Sequence, residues 1–71
     1  MEYVVIGGMN VEIERGVSRE RAVRAAIGYV NCGQKVAIEV RSDAGEIPYL
    51  NPDGSTHECG EMWTPYSLKQ N

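Results

Sequence analysis

Val17-Ser18-Arg19-Glu20-Arg21-Ala22-Val23-Arg24-Ala25-Ala26-Ile27-Gly28-Tyr29-Val30-Asn31-Cys32-Gly33 reads as the helix of a chain whose other periodic segments are strands. Ser18 suits the N-cap, because its hydroxyl can accept from a free backbone N–H of the first turn. Glu20 sets a negative charge where the helix dipole is positive. Gly33 supplies the left-handed residue that commonly closes a helix. At about 100° per residue, Val23, Ala26, Ile27 and Val30 share one apolar stripe, flanked by Ala22 and Tyr29. Arg21, Arg24, Ala25 and Gly28 are expected on the opposite face.

On the N-terminal side, Tyr3-Val4-Val5-Ile6 is a dense β-branched and aromatic run that predicts a buried strand. Gly7-Gly8 predicts a two-residue hairpin turn, since both positions tolerate positive φ. One long bent strand with the glycines as a bulge is the alternative. Met9-Asn10-Val11-Glu12-Ile13-Glu14 alternates, which puts Met9, Val11 and Ile13 on one face of a second strand. Gly16 is expected to end that strand.

On the C-terminal side, the segment Gln34–Arg41 is the clearest strand, with Val36, Ile38 and Val40 inward and Lys35, Glu39 and Arg41 toward water. One buried and one wet face predict an antiparallel sheet with the helix on a single side. Asp43-Ala44-Gly45-Glu46 reads as a turn into a short strand from Ile47 to Leu50. Pro48 cannot donate to a ladder and so marks an edge or a bulge. Asn51-Pro52-Asp53-Gly54 matches a type I turn at every position and leads to a last strand, roughly Thr56 to Trp63. Pro65 is expected to end pairing. A single domain of residues 1–66 then leaves 67–71 as a polar tail. The fold class is α+β, in the order β-β-α-β-β-β: one helix packed on one face of a four- or five-stranded antiparallel sheet.

Seventy-one residues lie near the lower limit for a core without crosslinks, and Trp63, four Tyr and the aliphatic residues must fill it because the chain has no Phe. Ten acids against seven bases give a net charge of −3, which argues against non-specific nucleic-acid or membrane binding by the chain as a whole. The charge is unevenly spread: Arg15, Arg19, Arg21 and Arg24 against Glu20 make a local +3, whereas only Lys69 offsets five acids after Ser42. Tyr3–Ile6 is too short an apolar run for a secretory signal, and no stretch is long enough for a membrane span. A cytoplasmic setting is expected, in which Cys32 and Cys59 stay reduced.

Cys32, His57 and Cys59 are the soft metal ligands of the chain. Structural zinc wants four ligands, usually in close Cys-x-x-Cys pairs, and that spacing is absent. A nucleophile pair needs the base within hydrogen-bond reach and a third group orienting it, whereas His57 and Cys59 are expected side by side on a strand and not aimed at a common substrate. That leaves a redox or metal enzyme using Cys32, His57 and Cys59 as the least favoured reading. Gly7-Gly8 opens no Gly-x-x-x-x-Gly-Lys-Ser/Thr loop. Glu12, Glu14, Glu39, Glu58 and Glu61 read as the wet face of the sheet. No catalytic residue, metal or cofactor is expected.

The outer helix face carries the functional expectation. Arg21 and Arg24 border Ala25 and Gly28, two long cations around a nearly side-chain-free patch. A partner can approach such a patch closely while the guanidinium groups fork onto carboxylates or phosphates. Gly28 in mid-helix costs up to about 1 kcal/mol against Ala, which a packing or an interface role would justify. Arg15 and Arg19 are expected to support this contact. Tyr49, Trp63 and Tyr66 are too few, with too little basic charge around them, for a base-stacking platform.

The order of Ser18, Ala22-x-Arg24-x-Ala26 on a helix, the Val36/Ile38/Val40 strand, Tyr49 before the Asp53-Gly54 turn and a late Trp63 resembles small phage- and prophage-encoded proteins. These include some anti-CRISPR proteins that inhibit bacterial surveillance complexes. The resemblance implies a non-enzymatic inhibitor that docks on a host protein or ribonucleoprotein complex in the host cytoplasm, with Arg24 at the position of a helix residue that binds the target. Val23 stands where a second basic residue would complete a pair. No sequence-specific nucleic-acid contact and no membrane contact are expected. The alternative is a homo-oligomeric accessory protein, such as a homodimer, assembled through a sheet edge or the open sheet face.

Overall fold

A computed structural model places residues 2–42, 47–58 and 62–69 in an α+β fold. Strands β1 (Glu2–Ile6), β2 (Glu12–Val17), β3 (Ala37–Arg41), β4 (Tyr49–Leu50) and β5 (Thr56–His57) form one sheet in the order β2-β1-β3-β4-β5. Every neighbouring pair is antiparallel. β2 and β3 both run opposite to β1, which lies between them, so they run parallel to each other and need a long crossover. Helix α1 (Arg19–Asn31) supplies it with 13 residues. A short helix, α2 (Pro65–Lys69), lies near the C-terminus. Among the described residues, no helix is long and apolar enough to cross a membrane.

Both ends of α1 follow from its sequence. Ser18 Oγ accepts from the Arg21 N–H at 3.2 Å. At the other end Gly33 has φ +89°, its N–H donates to the Val30 carbonyl, and the Gln34 N–H donates to the Tyr29 carbonyl. This pair of bonds is a Schellman closure. The buried stripe, however, is Ala22, Ala26 and Val30, with Val23, Ala25 and Tyr29 half-buried beside it. Ile27 is 38% exposed. The core face is therefore turned by roughly 60° from the expected one. Val5, Ile38 and Val40 already fill the sheet's upper surface, and methyl-sized Ala22 and Ala26 let the helix seat closely on them. Ala25, expected to point outward, packs at the margin of that contact.

The first hairpin differs from its expected form. β2 begins at Glu12, and Gly8–Asn10 form a 3-10 turn closed by the Gly7 N–H donating to the Val11 carbonyl at 2.8 Å. Met9 and Val11 thus leave the sheet, 97% and 60% exposed, and only Ile13 of the expected trio packs on the core. Gly16 does not end β2. It lies inside the strand with φ +70°, at one of two register shifts against β1. The shifts pair Val4 with Arg15 and Ile6 with Glu12, so Glu12 and Arg15 share the sheet face away from α1.

That face is drier than expected. Val4, Ile6 and Ala37 are 0%, 8% and 8% exposed, and Glu39 only 9%. An ion-pair lattice lies among them: Arg41 Nη2 donates to Glu12 Oε1 and to Glu39 Oε1, both at 2.9 Å, and Arg15 Nη2 donates to Glu12 Oε1 at 2.9 Å. Arg15 Nε also lies 3.6 Å from Glu2 Oε1.

The C-terminal third is more compact than a long last strand. The Asn51–Gly54 turn forms, its Gly54 N–H donating to the Asn51 carbonyl at 2.9 Å, but β5 is only two residues long. Trp63 returns to bridge Val36 and donates its indole N–H to the Leu50 carbonyl at 3.0 Å. Thr64 and Ser67 then cap each other, each hydroxyl oxygen accepting from the other residue's backbone N–H. With Pro65 in the first helical position this starts α2. The expected tail from Ser67 is therefore helical as far as Lys69, and Leu68 packs on the core. The turn expected at 43–46 lies outside the described residues, as do Cys59 and Glu61.

Candidate protein-binding surface

The six residues singled out on and before the helix do not form one patch. Arg15 lies on the sheet face away from α1, engaged by Glu2 and Glu12. The register shift at Gly16 puts it there. Arg19 begins α1 and donates to the Gly54 carbonyl at 3.3 Å, tying the helix to the Asn51–Gly54 turn. Arg21, Arg24 and Gly28 remain on the outer face, and Ala25 lies at its edge.

On that face the surface folds into two open depressions that share Glu20 and Arg24. One is lined also by Glu14, Ser18, Arg21 and Ala25, the other by Arg19, Val23 and Ile27. Arg21 Nε stands 3.9 Å from Glu14 Oε2, a loose pair between an exposed guanidinium and a half-buried carboxylate. The Arg24 side chain makes no hydrogen bond or ion pair among the described residues. Around the depressions, three arginines against Glu14 and Glu20 leave +1, less than the +3 of the Arg15–Arg24 segment. A Cβ built on Gly28 meets nothing within 4 Å, so no neighbour among the described residues calls for a glycine there.

A second polar cluster, not signalled by the Cys and His spacing, sits on the β4–β5 hairpin. Ser55 Oγ donates to Asp53 Oδ1 at 2.5 Å and lies 3.1 Å from His57 Nε2. The Ser55 N–H also donates to Asp53 Oδ1 at 2.9 Å. These bonds from Ser55 hold the Asp53 carboxyl below its ordinary pKa. The hydroxyl stands between acid and imidazole, whereas a nucleophilic serine needs the imidazole between them. Its proton is turned to Asp53, away from the histidine. The cluster braces a turn, and the Asp53-Gly54-Ser55 sequence is the signal that could have shown it. Cys32 is a free, exposed thiol just past α1, and no group of three or more His, Cys, Asp or Glu gathers for a metal among the described residues.

Compared with protein-family models, curated proteins and solved structures, the chain matches none of them.

Proposed function

We propose that this protein is a small non-enzymatic binding protein that docks through the outer face of α1 on a host macromolecular complex and inhibits it, in the manner of phage-encoded anti-CRISPR proteins. One observation carries the reading. Arg24, whose side chain has no partner among the described residues, stands one helical turn from Gly28, whose outward side opens on empty space among those residues. A mid-helix glycine that serves nothing inside the fold costs stability, and close approach of a partner backbone gives it a use. Arg21 and Ala25 complete the contact, and Arg19 holds the helix start. Arg15, which faces away, has no part in it.

The alternative of edge-to-edge self-association has less support. β2 is shifted in register twice and β5 has two residues, both features that blunt an edge. The ion-pair lattice likewise makes the open sheet face a poor apolar seam.

The test is affinity capture from host lysate with the native chain, the double variant Arg21→Glu/Arg24→Glu, and Gly28→Gln. The expected result is a stoichiometric partner with the native chain alone, while all three proteins melt as folded domains. Equal capture by all three would sink the reading.

A further inference from the structure

Resting on the α1 docking reading, we infer that the partner presents a protein segment with an aliphatic side chain next to a carboxylate, and not a phosphate backbone. The depression lined by Arg19, Glu20, Val23, Arg24 and Ile27 is the site. Its apolar lining is aliphatic: Val23 is half-buried, and Ile27, the side chain that the rotation of α1 left out of the core, is 38% exposed. Arg19 reaches to the Gly54 carbonyl, so among the described residues lining this depression Arg24 is the cation left to meet an incoming anion.

Charge decides which anion. Glu20 lines both depressions, and Glu14 lines the neighbouring one that also holds Arg21. A polyanion laid along α1 would carry successive phosphates past these two carboxylates, and like charges in contact oppose binding. A single carboxylate needs only the Arg24 guanidinium and brings one negative charge, not a row of them, past Glu20. Sugar and phosphate also offer nothing to Ile27, and the depressions contain no aromatic ring on which a base could stack. An aliphatic residue one helical turn from an Asp or Glu satisfies both halves of the site, burying Ile27 and Val23 while the carboxylate forks onto the Arg24 guanidinium.

The experiment is selection from a random-peptide display library on the immobilised full chain. Individual winners are then measured by fluorescence anisotropy against the native protein, Arg24→Gln, Arg24→Glu and Ile27→Asp. A 12-nucleotide poly-uridylate is measured in parallel. The expected winners carry Asp or Glu near Leu, Ile, Val or Met. They weaken tenfold or more with Arg24→Glu and Ile27→Asp, less with Arg24→Gln, and outbind the RNA. Circular dichroism and melting check each variant. Should Ile27→Asp unfold, Ile27→Ser replaces it at the same position.

Winners without acids, or poly-uridylate binding more tightly with the same dependence on Arg24, would overturn the inference while leaving α1 as the docking face. Winners indifferent to both positions would overturn the inference and the docking reading together. An absence of winners above background would overturn the inference.

Discussion

Met9 and Asn10 have φ of 62° and 60°, although two glycines stand directly before them. Gly7 has φ −90° and is useful for space: a Cβ there would come within 2.9 Å of Ile13 Cδ1. The sequence therefore marks the turn but misplaces its left-handed residues, because the bond closing Gly7 onto Val11 sets the turn one step later. Left-handed backbone costs roughly 1–2 kcal/mol at a residue with a Cβ, and glycine returns about 0.5–1 kcal/mol of that through its freer unfolded chain. Met9 is 97% exposed, so little packing is at stake. Met9→Gly is expected to stabilise the fold by about 0.5–1 kcal/mol, a rise of a few degrees in melting temperature. An unchanged or lower melting temperature would count against the strain.

At the scale of elements, α1 shows which helical properties are local. Its caps depend on Ser18 and Gly33 bonding within a few residues, and both were readable. Its orientation was not, because hydropathy ranks Ile27 above Ala22 while the packed sheet admits only the smaller residue. Gly28 is the test at this scale. Open space surrounds it, so Gly28→Ala is expected to stabilise the isolated domain by up to about 1 kcal/mol in urea unfolding; destabilisation would mean a contact at that face. α2 was missed for a different reason. A five-residue helix has no periodicity to detect, and its signal lies in Thr64-Pro65-x-Ser67, where the two hydroxyl residues cap each other.

Across the whole molecule, the sheet is covered on both faces, by α1 on one and by paired charges on the other. Glu12 joins the two ends of that lattice, accepting from Arg15 and Arg41, and their hydrogen bonds hold its carboxyl below the ordinary value of 4.5. The same pairing raises Arg41 above its usual range, chiefly through Glu39 and then Glu12. As pH falls, the unfolded chain protonates Glu12 before the folded one does. Its contribution is therefore complete above the unfolded pKa and lost as pH drops through the lower folded value. Asp53, lowered by Ser55, acts in the same direction. Denaturant midpoints measured from about pH 6 down to pH 3 should fall in the native protein and fall less steeply in Glu12→Gln. Parallel curves would mean that Glu12 is not held by its arginines. By itself, the sequence determined the α+β class, the inward alternation of Val36, Ile38 and Val40, both caps of α1 and the Asn51–Gly54 turn, since each depends on residues a few positions apart. Only the tertiary structure decided the rotation of α1, the return of Trp63 to Val36, and the separation of Arg15 from Arg21 and Arg24. Those outcomes depend on strand register and on the volume between helix and sheet, which are set by residues far apart in the chain.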